Sequence, residues 1–290
     1  MKLITYTYAG KTRLGVVRGD QVVDLAAASA SKLPDNMLEF LQQGEAAMDR
    51  ARELLIQGAA TVPLHDVTLL APVPNPSKVV AIGLNYMDHC RETDTPPPTT
   101  PVIFTKFSTA IIGPGATIRW DPALTSKVDY EAELAVVFGK PAYRVSRATA
   151  LDYVAGYMNA NDVSAREIQR GDEQWVRGKS LDTFCPLGPA LVTADEVPDP
   201  QALEIRSVLN GQVMQASNTA EMIFDVPTLI EFASRAFTFL PGDVLITGTP
   251  HGVGIGRNPP VFMADGDTIT IEVEGLGSLT NKCEEERMGE

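Results

Sequence analysis

The sequence predicts an α+β protein in two parts, a small N-terminal α+β unit over residues 1–70 and a larger domain over residues 71–290. Two observations carry the division. The first 70 residues pass from strand-like alternation to helical stripes, as a small α+β unit does. The segment APVPNPSK at 71–78 then places three prolines in eight positions, which excludes regular helix or central strand and marks a boundary. A third is length: 290 residues exceed the usual span of about 100 to 200 per domain, so a small domain plus a large one fits.

In the N-terminal unit, KLITYTY and RLGVVRGDQVVDL read as strands, with Gly19-Asp20 as a two-residue hairpin turn. From Asp35 the period becomes helical, with Met37, Leu38 and Leu41 on one stripe and a stop at Gly44; a second helix follows. His65 stands alone in a connecting segment and reads as a surface residue. After the proline segment, VVAIGLN is a short apolar strand. The polar stretch beyond it sets His89 and Glu92 three residues apart, so one helical turn makes them neighbours. Such a pair is either a general base with its orienting carboxylate or an ion pair on a surface helix.

Residues 128–140, VDYEAELAVVFGK, put acids into an apolar strand. Val128, Tyr130, Ala132, Leu134, Val136 and Phe138 share one face, and Asp129, Glu131 and Glu133 share the other. That row is either the solvated face of an edge strand or a set of oxygen ligands for a divalent cation. Downstream, DYVAGYMNAND runs as a strand into a helix whose start is marked by Ser164 and Glu167 at capping-box spacing. Asp162 at that junction caps the helix or adds a third carboxylate to the cation site. Arg166 and Gln169 lie three apart on the helix and offer donors to an anion.

Lys179 follows a glycine in what reads as a solvated loop. Asn210-Gly211 joins two strands, a helix begins near Val226, and the buried strand Val244–Ile246 opens into the glycine- and hydroxyl-rich TGTPHGVG. Glycines there let a ligand approach the backbone, Thr247 and Thr249 bring hydroxyls, and His251 is adjacent. The chain closes on alternating strands and an acidic tail, CEEERMGE, expected to fray.

The net charge of −13 argues against nucleic acid as partner, which calls for basic patches. No apolar run is long enough to cross a bilayer, and MKLITYTYAG lacks the basic segment and apolar core of a signal peptide, so the expected location is cytoplasmic, or else a compartment reached by a signal already removed. Three dispersed cysteines suggest neither a disulfide framework nor a zinc cluster.

Taken in order, GLNYMDH, DYEAELAVVFGK, GYMNANDVSAR, RGKSLDTFCPLGP, LPGDVLITGTPHGVG and EGLGSLTN closely resemble the fumarylacetoacetate hydrolase family. The resemblance covers the chain from about residue 78 and implies a mixed β-roll, a homodimer, and Mg²⁺ or Mn²⁺, with Ca²⁺ possible in its place, held by Glu131, Glu133 and Asp162. It implies a lid carrying His89 and Glu92, and places the family's lysine, glutamine and threonine on Lys179, Gln169 and Thr249. The substrate expected is a short 2-oxo acid. The leading expectation is hydrolysis of a carbon–carbon bond in an acylpyruvate, releasing a metal-chelated pyruvate enolate, with His89 activating water and Lys179 and Gln169 stabilising the developing oxyanion. Oxaloacetate decarboxylation, or isomerisation or dehydration of a related 2-oxo acid, is the alternative. A protein that binds its ligand around a structural Ca²⁺ without transforming it is the reading from another class.

Overall fold

The computed structural model describes residues 1–286. It is an α+β protein, a mixed β-roll built from a 12-stranded sheet and a five-stranded sheet, with short helices. At the centre of the large sheet lies Ala132–Phe138, paired antiparallel to Val154–Asn161 on one side and to Val244–Ile246 on the other. The latter runs parallel to Val79–Gly83, which pairs with Val102–Lys106. On the far side Cys185–Thr193 joins Val154–Asn161 to Lys2–Tyr8, so the N-terminal hairpin strands extend this sheet. Gly19 and Asp20 form the turn between Lys11–Arg18 and Gln21–Asp24; one helical turn, Leu25–Ala28, follows, and then the two expected helices, Met37–Gln42 and Glu45–Gln57.

The central strand is buried on both faces. Leu134, Val136 and Phe138 join a core with Ile205, Ile271 and Leu279 of the five-stranded sheet, whereas Ala135 and Val137 join one with Phe40 and Leu54 of the N-terminal helices. The acidic row is therefore not the wet side of an edge strand, because its apolar continuation is covered too. The stretch 128–140 is also not one strand. Val128–Asp129 pairs with Ser164–Ala165 as a separate two-residue ladder before Ala132–Phe138 begins.

At the break, side chains take over from the ladder: Glu131 N donates to Asn161 Oδ1 at 3.0 Å and Ala132 N to Gln215 Oε1 at 2.9 Å. Ser164 is drawn into the small ladder and its hydroxyl donates to the Asp162 carbonyl, so it does not cap the helix Arg166–Gly171; Glu167 instead accepts from Thr125 and Ser126. In the expected tail, residues 283–285 complete the strand Gly277–Glu285, which pairs parallel with Thr117–Trp120; residues 287–290 lie outside the described part. Among the described residues no helix is long and apolar enough to cross a membrane. All three cysteines are free and buried.

Candidate active site at the ends of the central strands

Strand pairing brings the acids together. Ala132 lies opposite Asn161, and Asp162 N donates to the Glu131 carbonyl at 2.9 Å, which sets Asp162 beside the acidic strand. Glu131, Glu133 and Asp162 each place one oxygen within 4.8 Å of the others. They are 5%, 1% and 0% exposed, a degree of burial that carboxylates tolerate only with compensating charge.

Part of that compensation is cationic. Lys179, expected in a solvated loop, is 2% exposed at the end of the short helix Val176–Lys179, and its Nζ lies 2.7 Å from both Glu131 Oε2 and Asp162 Oδ2. A second buried lysine, Lys106, grips Asp162 Oδ1 and donates to the Val163 carbonyl at 3.1 Å. Arg166 reaches Glu131 at 2.7 Å and Asp129 at 2.8 Å. Burial alone pushes the Glu131 carboxyl up, but Lys179 and then Arg166 outweigh it and hold Glu131 below the ordinary carboxylate range. Burial first, then Asp162 and Glu131, push Glu133 well above that range. Three converging carboxylates, one of them lacking a cation of its own, form a donor set suited to a hard divalent ion.

Glu131 and Glu133 line a cavity of about 380 Å³, within the usual size of small-ligand sites of about 300–1,000 Å³, with Asp162 buried behind them. His89, Arg166, Gln169, Lys179 and Thr249 line the same cavity. His89 lies on the helix Met87–Glu92, and its Nδ1 is 3.1 Å from Glu92 Oε2, which leaves Nε2 as the free ring nitrogen. Glu92 also accepts from Gly252 N at 2.8 Å; burial raises its carboxyl, but the bonds from His89 and Gly252 bring it below its ordinary value. Thr249 donates to the Ala132 carbonyl and accepts from Gln215, a buried side chain that ties the break in the acidic strand to the 249–250 turn. Arg166 Nη2 is buried without a hydrogen-bond partner, an unused donor on a residue that lines the cavity.

Not every candidate joins. Thr247 is spent on the Leu134 carbonyl, His251 is exposed and bonded to the Ala216 carbonyl, and His65 is on the surface beside Asp66. Sequence reasoning missed Lys106, although its place in VIFTKF, alternating with Phe104 on the buried face, was the available signal. It also missed the cavity wall formed by Phe104 and Trp175, edge to face at 5.6 Å, and Arg170 at the exposed mouth. Trp175 presses on Gly83, where no side chain fits.

Residues 78–284 match the family model described as fumarylacetoacetate (FAA) hydrolase C-terminal. The chain is 49% identical over 266 residues to oxaloacetate tautomerase FAHD2A, mitochondrial, of Bos taurus, covering 91% of this chain and 84% of that protein. Among solved structures, 2-hydroxyhepta-2,4-diene-1,7-dioate isomerase from Mycobacterium marinum is 38% identical with TM-score 0.78, covering 99% of both chains. Maleylpyruvate hydrolase from Sphingobium sp. SYK-6, in complex with manganese(II) and pyruvate, is 32% identical with TM-score 0.81, covering 99% of this chain and 100% of that one. The expected cytoplasmic location is corrected here: the bovine relative is a mitochondrial protein by name, so the plain N-terminus is no guide to compartment. With the family's domain matched over most of the chain, and relatives this similar along nearly all of it, the chain belongs to the fumarylacetoacetate hydrolase family.

Proposed function

We propose that the protein is a divalent-metal enzyme that interconverts the keto and enol forms of a short 2-oxo dicarboxylic acid of the oxaloacetate type. The observation that carries this reading is His89, held by Glu92, on the wall of the same cavity as Glu131 and Glu133 of the three converging buried carboxylates. A base and a cation site facing one small volume are what proton abstraction beside a carbonyl needs. The bovine relative named an oxaloacetate tautomerase supports the substrate class.

Glu131, Glu133 and Asp162 hold the ion, Mg²⁺ or Mn²⁺ by the hardness of the oxygen set. When bound it supplies Lewis-acid polarisation of the 2-oxo group. Glu92 fixes the His89 ring through Nδ1, so Nε2 takes the proton from the carbon next to the 2-oxo group. The electron pair moves onto the carbonyl oxygen, where Lys179, Gln169 and the spare Nη2 of Arg166 meet the charge; reprotonation on oxygen completes the enol, and the reverse sequence restores the ketone. Arg170, which makes no ion pair among the described residues, meets the distal carboxylate at the mouth. The homodimer belongs to the same proposal and is read by sedimentation.

The test is loss of the enol's ultraviolet absorbance on adding Mg²⁺- or Mn²⁺-loaded protein to enol oxaloacetate. Acceleration without release of pyruvate or carbon dioxide is expected. A protein that leaves enol decay at its uncatalysed rate, yet forms pyruvate from an acylpyruvate, is a hydrolase instead. That second reading is favoured by the likeness to the hydrolase solved with manganese and pyruvate, and needs only that His89 deprotonate water rather than carbon.

A further inference from the structure

The glycine-rich loop TGTPHGVG, residues 247–254, was expected to let a ligand approach, and with Ile255 and Gly256 it closes on the site. What it approaches is two carboxylates of the protein. Asp129, fully buried, accepts at Oδ1 from Tyr130 N at 2.9 Å and Gly254 N at 2.7 Å, and at Oδ2 from Ile255 N at 3.0 Å and Arg166 Nε at 2.8 Å. A carboxylate offers about four lone-pair sites, so Asp129 has none left for a cation. From the opposite side Glu92 accepts from Gly252 N at 2.8 Å while holding His89. The glycines follow from this grip. Gly252 has φ +94, a Cβ at Gly254 would stand 2.6 Å from Asp129 Oδ1, and one at Gly256 would stand 2.7 Å from Glu92 Cδ.

We infer that Asp129 is a positioning residue for the His89–Glu92 pair, acting through this loop: Arg166 and Asp129 anchor residues 254–255, and the anchored loop presents the Gly252 amide that fixes Glu92. The inference rests on the assignment of His89 as base. It adds that the base is oriented from the floor of the site through the Gly252 amide, alongside the bonds that Asp88 of the same helix accepts from Ser217 and from the His251 amide.

A double-mutant cycle on the Mn²⁺-loaded protein tests it. Asp129→Asn and Glu92→Gln are each expected to lower kcat by about tenfold or more, as loss of a group orienting a functional residue does. Because both act through one loop, the double variant should fall within about twofold of the worse single, whereas independent roles multiply. Multiplying losses overturn the inference, as does an Asp129→Asn whose only defect is weaker Mn²⁺ binding, measured by electron paramagnetic resonance. Amide exchange reads the same link in a chain with Asp129 intact. Glu92→Gln should speed exchange at Gly254 and Ile255, which do not touch Glu92, as well as at Gly252; acceleration confined to Gly252 overturns the inference even if Asp129→Asn fails to fold. Exchange needs no substrate, so it stands apart from any failure of the wild type to accelerate enol loss.

Discussion

The floor of the site and the helix above it are built in opposite ways. Glu131, Glu133 and Asp162 meet because strands distant in sequence pair, and they sit among Lys106, Lys179 and Arg166 in a nearly closed charge network. His89 and Glu92 meet because they are three residues apart on one six-residue helix, and their side chains remain partly accessible. The difference teaches that the two proposed roles, ion holding and proton transfer, rest on physically separable parts of the site. Damage to Glu131, Glu133 or Asp162 should remove the ion or the fold; damage to the helix should slow turnover and leave both in place.

The largest contrast comes from the ion itself. Stripping it with a chelator should abolish acceleration of enol loss and Mn²⁺ should restore it, while circular dichroism shows the same fold. Next, His89→Ala should cost about 10²–10⁴ in kcat, the usual worth of a general base, with Mn²⁺ affinity nearly unchanged by titration calorimetry. Full turnover in that variant would show that the base lies elsewhere.

On the floor, Lys106→Met should destabilise the protein by about 3–5 kcal/mol in urea unfolding, because Asp162 Oδ1 would be buried without its cation. The matching change on the helix, Arg91→Ala, breaks only an exposed contact to Glu221 and should cost less than about 1 kcal/mol. Equal losses from the two would erase the distinction.

The smallest effect is in pH. The Glu92 carboxyl is held below its ordinary value in the folded protein, so its contribution is complete above the unfolded value of about 4.3 and is lost as pH falls through the lower folded one. Amide protection over residues 87–92, corrected for the intrinsic exchange rate at each pH, should therefore fall in that acid window and stay flat from neutral pH down to it.

The local pieces were legible because their causes are local. A Gly-Asp turn, an Asn-Gly turn and a stripe at Met37 and Leu41 need only neighbouring residues, and they appear where alternation and turn chemistry put them. The capping box at Ser164 failed because a long-range ladder claimed its residue first. Lys179 read as solvated because its partners are remote: Glu131 is 48 residues away and Asp162 is 17.

By itself, then, the sequence determined that acids alternate in one stretch, that a histidine and a glutamate lie one helical turn apart, and that the ordered motifs belong to one family. Whether those acids faced water or each other was open, since alternation is the same for a wet face and a covered one. Tertiary structure decided it by covering both faces of the central strand, supplying Lys106 and Lys179 from elsewhere in the chain, and giving Asp129 to the loop rather than to an ion. Burial is a property of the whole fold, and it is burial that turns a row of like charges into a demand for cations.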